Sequence, residues 1–196
     1  IGTEVVPPLW VRDAAWIRPE LKRRDVGGNE LPFPFGHLFR SVVDAAGMHF
    51  PYPECMAEPA RRDLRHQLLD ELTSLCAPTL FDRFRVSELD YGEFISAVDL
   101  EALFDEKPVL LRLVAVLTRQ WIDASTAFCN RLAADIEGVR RLAGASPGSR
   151  IVSVAAGLSD RHRGGCSVLQ LEFDEGCRVL YKPKDLRIDA AWNSVV

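Results

Sequence analysis

The sequence predicts an α+β fold, with a mainly helical region over residues 1–145 and a small antiparallel sheet over residues 150–196. Three observations predict it. Apolar residues recur at three- and four-residue steps through 58–77 and 108–143, the spacing of an amphipathic helix. After residue 150 the period drops to two, with Leu169, Leu171 and Phe173 alternating with Gln170 and Glu172. Between the two regimes lies Gly144-Ala145-Ser146-Pro147-Gly148-Ser149, apolar-poor and turn-forming, the best boundary candidate in the chain.

Taken in order, Trp10, Trp16 and Ile17 have the spacing of a short amphipathic helix. Leu31-Pro32-Phe33-Pro34-Phe35 is expected to run extended, because each proline disfavours helix at the residue before it. Its two Phe rings are expected to anchor a wrapping segment rather than to form a proline-rich recognition motif. Residues 37–49 read as a helix with Leu38, Val42, Ala45 and Ala46 on one side and Gly47 ending it. Residues 58–77 carry Leu64, Leu68, Leu72 and Leu75 as a stripe, and residues 88–104 are expected to form one further helix through Leu89, Phe94, Val98 and Phe104.

Residues 108–143 have the strongest helical pattern, from Pro108 in the first turn through Leu110, Leu113, Val114, Leu117, Trp121 and Ile122 to Leu142. The stretch exceeds a typical globular helix, so a break is expected near Asp123–Thr126. Arg119, Arg131, Arg140 and Arg141 read as a solvated face. In the last quarter Ile151, Val152 and Val154 start a strand, and Asp174-Glu175-Gly176 reads as a hairpin turn with positive φ at the glycine. Val179-Leu180-Tyr181-Lys182 returns as a third strand, and Pro183, which has no N–H, ends the pairing.

Composition excludes several classes. About half of the 196 residues are apolar, enough for a sizeable core. Residues 1–149 hold 17 Lys and Arg against 22 Asp and Glu, and residues 150–196 hold 7 against 6, so neither part has the basic excess of a general nucleic-acid binder. The five cysteines (Cys55, Cys76, Cys129, Cys166 and Cys177) are odd in number and scattered without a C-x-x-C pair, which argues for reduced, packed thiols in a cytoplasmic protein and against a zinc site. His37, His49 and His66 read as ordinary surface or core histidines, and no metal-ligand constellation is expected in this chain. No signal peptide or membrane-spanning run is visible. The first residue is not Met and no terminal signal closes the chain, so it is read as an excised piece of a longer protein.

The chemistry-bearing segment is Gly157-Leu158-Ser159-Asp160-Arg161-His162-Arg163-Gly164-Gly165, followed by Tyr181-Lys182-Pro183-Lys184. A polar turn joins two strands, and a lysine follows on the third. Protein kinases order their parts this way, with a glycine-rich loop over the ATP phosphates and a lysine on the next strand. Gly164 and Gly165 let the backbone approach an anion and present N–H groups to it. Arg161, Arg163 and Lys182 supply positive charge, and His162 adds a ring donor that can change protonation near neutral pH. No G-x-G-x-x-G is present. On pattern alone the segment is open between a phosphate loop and a polar surface hairpin in which Asp160 caps a turn and Lys182 is merely exposed.

Residues 151–193 resemble the corresponding part of class II lanthipeptide synthetases, the LanM-type enzymes. The resemblance runs through Gly157 to Val168, Leu171-Glu172-Phe173, Leu180 to Leu186, Asp189 and Trp192-Asn193. A weaker match extends to Leu31-Pro32-Phe33, Pro108-Val109-Leu110-Leu111-Arg112-Leu113 through Trp121, and Arg131-Leu132 with Asp135. Members tend to have Arg where Cys166 stands, so that arginine is missing here.

The resemblance implies a dehydratase whose sheet is the start of a lipid-kinase-like N-lobe. Such domains use ATP and Mg²⁺ to phosphorylate Ser and Thr of a precursor peptide, leader plus core, and then eliminate phosphate to leave dehydroalanine or dehydrobutyrine. It implies catalytic roles for Asp160, His162 and Lys182. It implies phosphate contacts from Arg161, Arg163, Gly164, Gly165 and Lys182, with Lys184 secondary, whereas Asp185, Asp189 and Asn193 are expected to be structural or helix-starting. Mg²⁺ ligands and elimination groups are expected in the C-terminal remainder of the synthetase, and zinc only in a C-terminal cyclase, so the chain alone is expected not to turn over. Two rivals stay open: a kinase-like phosphotransferase without elimination, and a leader-peptide binding module.

Overall fold

The computed structural model describes residues 6–23, 33–160 and 164–183. Among them six α-helices precede one three-stranded sheet: α1 (Leu9–Leu21), α2 (Arg40–Gly47), α3 (Glu58–Ser87), α4 (Tyr91–Ala97), α5 (Leu100–Glu106), α6 (Pro108–Ala143), then β1 (Ile151–Ala155), β2 (Leu169–Phe173) and β3 (Arg178–Tyr181). The α+β prediction holds. The strands form an antiparallel meander in the order β1-β2-β3, and β1 carries a bulge between Ile151 and Ser153. The apolar faces of α3, α6 and the sheet share one core, in which Leu64, Leu68, Leu72, Phe128, Ile151, Leu171 and Phe173 are all buried.

Several boundaries differ from the periodic reading, each for a local reason. α3 does not stop at residue 77 but runs through Pro78 to Ser87. Proline there removes the bond that the Ser74 carbonyl would accept, a cost of about 3 kcal/mol in a helix interior. Burial of Cys76 and Leu80 on either side of it offsets that cost. The single helix expected over 88–104 is two. Glu88 turns left-handed at φ 58°, and Asp90 starts α4 with a capping box, accepting from the Glu93 N–H at 2.8 Å while its own N–H donates to the Glu93 carboxylate at 3.1 Å. Asp99 then caps α5, accepting from the N–H groups of Glu101 and Ala102.

The break expected near Asp123–Thr126 is absent, and α6 is continuous over 36 residues. Trp121, Ile122, Ser125, Phe128 and Cys129 are all buried, so the stripe has no gap, and the Thr118 and Thr126 hydroxyls donate to carbonyls one turn back. Phe35 is buried as expected, but it sits at φ 63°, ψ 6° and is not extended. Leu31 and Pro32 lie outside the described residues. α2 does end at Gly47, but Met48 closes it in a right-handed conformation. Space at the glycine is tight, since a Cβ there would lie 3.2 Å from the Tyr52 hydroxyl, which would have to give by a few tenths of an ångström.

The arginines of α6 are not simply a solvated face. Arg119 reaches across to α1, where its Nε lies 3.1 Å from Oδ1 and 3.2 Å from Oδ2 of Asp13. Asp13 is 3% exposed and also accepts from the Trp16 indole at 3.4 Å. Arg140 donates to the Ser149 carbonyl at 3.0 Å, tying the end of α6 to the turn before β1. Gly144, at φ 71°, is the left-handed cap that ends α6.

Arg119→Ala should cost about 2 kcal/mol in urea unfolding, below the range for fully buried pairs because the arginine side chain is 35% exposed. Asp13→Leu with Arg119→Met should cost less than Arg119→Ala alone, because no buried charge is then left without its partner.

A second prediction concerns acid. The Ser149 hydroxyl and the Arg150 N–H donate to Asp174 and hold its carboxyl below the ordinary value of 3.8. Its stabilising contribution is therefore complete above the unfolded value and lost as pH falls through the lower folded value. The urea midpoint of Asp174→Asn should drop less than that of the unsubstituted protein between pH 5 and pH 3.

Candidate functional site

The sheet has two unlike faces. Val154, Leu169, Leu171 and Phe173 are buried, and Val179 and Tyr181 pack behind them toward α3 and α6. The Tyr181 ring lies 5.1 Å from that of Phe128, and its hydroxyl accepts from Arg131 of α6 at 2.7 Å. Alternation then places Leu180 and Lys182 on the opposite, outer face, where both are exposed. β3 ends at Tyr181, one residue earlier than expected. Tyr181 opposite Leu169 is the last pair, and Pro183 has no N–H with which to extend the ladder. Lys182 thus stands just past the strand end, free of the core.

The loop between β1 and β2 closes on itself at the same end of the sheet. The Ser159 hydroxyl accepts from the Val168 N–H at 3.0 Å and donates to the Asp160 carbonyl at 3.1 Å. Continuing the β2–β3 register by one step sets Val168 opposite Lys182. Ser159 and Lys182 therefore lie at the same end of the sheet, and Asp160, next to Ser159 in the chain, is exposed. Sequence reading passed over Ser159; its signal is a hydroxyl next to a turn acid, the residue type that bonds nearby backbone.

Gly164 and Gly165 differ in role. Both have left-handed φ, 78° and 97°. At Gly164 an added Cβ would meet nothing within 4 Å, whereas at Gly165 it would lie 3.1 Å from the Gln120 Cβ of α6. Gly165 seats the loop on the helix, and Gly164 is the one whose backbone is open. Arg161, His162, Arg163, Lys184, Asp185, Asp189, Trp192 and Asn193 lie outside the described residues.

Beside the loop runs a groove of about 520 Å³ between α3 and the β1 edge. Its helix wall is Asp63, His66, Gln67, Asp70 and Glu71, and its other wall runs from Ser153 through Gly157 to Ser159. Asp63 fixes the walls to each other, accepting from the Ser153 hydroxyl at 2.8 Å and the Val154 N–H at 3.0 Å. His66 meets the Phe33 ring edge-on at 6.3 Å. Among the described residues three carboxylates and no lysine or arginine line this space. Sequence reading missed the groove, although its signal was present: 63, 66, 67, 70 and 71 form one polar helix face.

Among the described residues no group of three His, Cys, Asp or Glu is placed to hold a metal ion, and no helix is long and apolar enough to cross a membrane. All five cysteines are free. Burial pushes the Cys76 and Cys129 thiols up to about 12, and it raises Cys55 as well, so these three are poor nucleophiles.

Residues 108–196 match the family model of a domain of unknown function, DUF4135, which is found in lanthipeptide synthetase-type proteins. The matched segment begins at the first residue of α6 and takes in the sheet, the loop and Lys182. No curated protein matches the chain.

Gly165→Ala should cost about 3 kcal/mol, combining left-handed strain with a contact that must give way, whereas Gly164→Ala should cost about 1 kcal/mol from strain alone. Urea unfolding of the two variants checks the difference; equal costs would mean that the loop is not seated on Gln120.

Proposed function

We propose that the chain is part of an ATP-dependent peptide Ser/Thr dehydratase of the lanthipeptide synthetase type. The observation that carries this reading is the family match over residues 108–196, which coincides with the loop and the Lys182 end of the sheet. ATP would supply the phosphoryl group that turns a Ser or Thr hydroxyl of a precursor peptide into a leaving group.

The fit of the chain to that ligand rests on position. Lys182 offers a solvated ammonium beyond the sheet, and Gly164 offers backbone with no side chain in the way. Neither lines the acidic groove. Lys182 holds and orients phosphate oxygens; Ser159 keeps the loop closed so that Asp160 stays near them. Arg161, His162, Arg163 and Lys184 carry the further roles implied by the resemblance, and Mg²⁺ binds through residues of the rest of the synthetase.

A binding module is the second reading, and the groove favours it, because a peptide-sized channel lined with carboxylates is a recognition surface independent of phosphate chemistry.

The test is the intact mass of the precursor peptide after incubation with the full-length protein that carries this chain, ATP and Mg²⁺. Whole waters should be lost, and Lys182→Ala should slow that loss about 100-fold or more, the effect of removing one charge-stabilising donor. Its exposed position predicts an unchanged urea midpoint. A stable gain of phosphate would instead mark a kinase without elimination, and an unaffected rate would remove Lys182 from the site.

A further inference from the structure

A second, smaller cavity of about 80 Å³ lies where the β1–β2 loop meets α6. Trp121, Ser125 and Arg131 of α6 and Gly165, Cys166 and Ser167 of the loop are in its lining. Trp121 is 4% exposed, and its indole N–H has no hydrogen-bond partner among the described residues. A buried donor left unpaired is costly, and folded proteins answer nearly all of theirs. Ser125 and Ser167 are buried in the same lining and bring hydroxyls to it. Arg131 gives one N–H to the Tyr181 hydroxyl at 2.7 Å, and its fork has further N–H groups to donate.

One thiol borders this space. Cys166 is half-buried and lines the cavity beside those donors. The other four cysteines are set differently. Burial raises Cys55 and pushes Cys76 and Cys129 up to about 12. The Cys177 S–H donates to the Gly144 carbonyl at 3.8 Å, a bond that holds the proton on sulfur. An oxygen added to the Cys166 sulfur, with its proton, needs the room of one water, roughly 30 Å³. The cavity is large enough to take it.

We propose that Cys166 is an oxidation site: hydrogen peroxide converts its thiol to a sulfenic acid, whose oxygen enters the cavity and accepts from the Trp121 indole N–H and from a serine hydroxyl. Sulfur attacks one peroxide oxygen, and the S–O bond forms as the O–O bond breaks. Two electrons pass from sulfur to the peroxide, and the departing hydroxide takes the thiol proton and leaves as water. The Arg131 guanidinium favours the thiolate that attacks. The inference goes beyond the dehydratase reading and does not rest on it, because its product is read as a mass.

The full-length protein that carries this chain is exposed briefly to hydrogen peroxide, which catalase then removes. Dimedone traps the sulfenic acid that persists, and mass spectrometry of the digest locates it. Cys166 should carry at least about tenfold more adduct than any other cysteine of the chain. Trp121→Phe keeps a ring in the core and removes the N–H, and Ser125→Ala removes a hydroxyl with little change in volume. Each should lower the Cys166 adduct about threefold or more, while alkylation of Cys166 by iodoacetamide stays unchanged. Urea midpoints identify which variants keep the fold.

The proposal is overturned if Cys166 carries no adduct, or if the adduct is spread evenly over Cys166 and Cys177. It is equally overturned if a folded variant keeps the full level of adduct, because Cys166 would then be oxidised through exposure alone.

Discussion

The outer edge of β1 is the constraint on which the rest of the structure depends. Three short ties hold it to the helical region: the two backbone bonds between Ile151 and the Cys55–Ala57 segment, and the carboxylate of Asp63 on Ser153 and Val154. They fix the strand at both its start and its middle against the first turns of α3. A small antiparallel sheet needs its apolar face covered to be stable. Once β1 is fixed, antiparallel pairing sets β2 and β3, and their inward residues have only the faces of α3 and α6 to fill. The bulge in β1 belongs to the same constraint, because it lets Ile151 turn toward the Cys55 segment while Ser153 reaches Asp63.

The electrostatic layout follows from that arrangement. The loop after β1 borders two different environments. Among the described residues it meets carboxylates on the α3 side and an ammonium at the sheet end. Neither environment depends on a strongly perturbed thiol or on a metal cluster among the described residues.

The class of fold was legible because its two periods are clean. The stripe that starts at Leu110 and the alternation around Leu169 to Phe173 each point one way, and helix and strand form there, although Leu113 and Leu142 of the stripe are exposed. The boundaries were less legible, for physical reasons specific to each. Proline disfavours helix interiors, yet buried neighbours carry α3 through Pro78, so a local penalty loses to tertiary packing. Asp90 and Asp99 were readable as caps, but a continuing apolar pattern hid them, and α4 and α5 were merged. Length alone suggested a break in α6, but the face stays buried across it, with Ser125 inside the core and the Thr118 hydroxyl satisfied one turn back. At the site, Lys182 and Asp160 stand exposed at the loop end of the sheet, whereas the spacing gave the polar face of α3 no role. No spacing rule reveals that a strand edge lies across from it, because that juxtaposition is set by residues 90 positions away.

The position of Lys182 is itself a consequence of the helix behind the sheet. Tyr181 is drawn inward by Phe128 and held by Arg131, and a residue that faces inward forces the next one outward. Gly165 rests on Gln120 of the same helix, so both the lysine and the loop that would share a ligand take their placement from α6. This explains why a family match beginning at Pro108 extends through the sheet without a division at residue 144: the sheet alone would leave its inner face bare and the loop unsupported. On this view α6 is the backing plate of the site. A lesion at Gln120 or Phe128, remote from any phosphate, would act by moving Lys182 and the loop relative to each other, with the ammonium itself left in place on the chain.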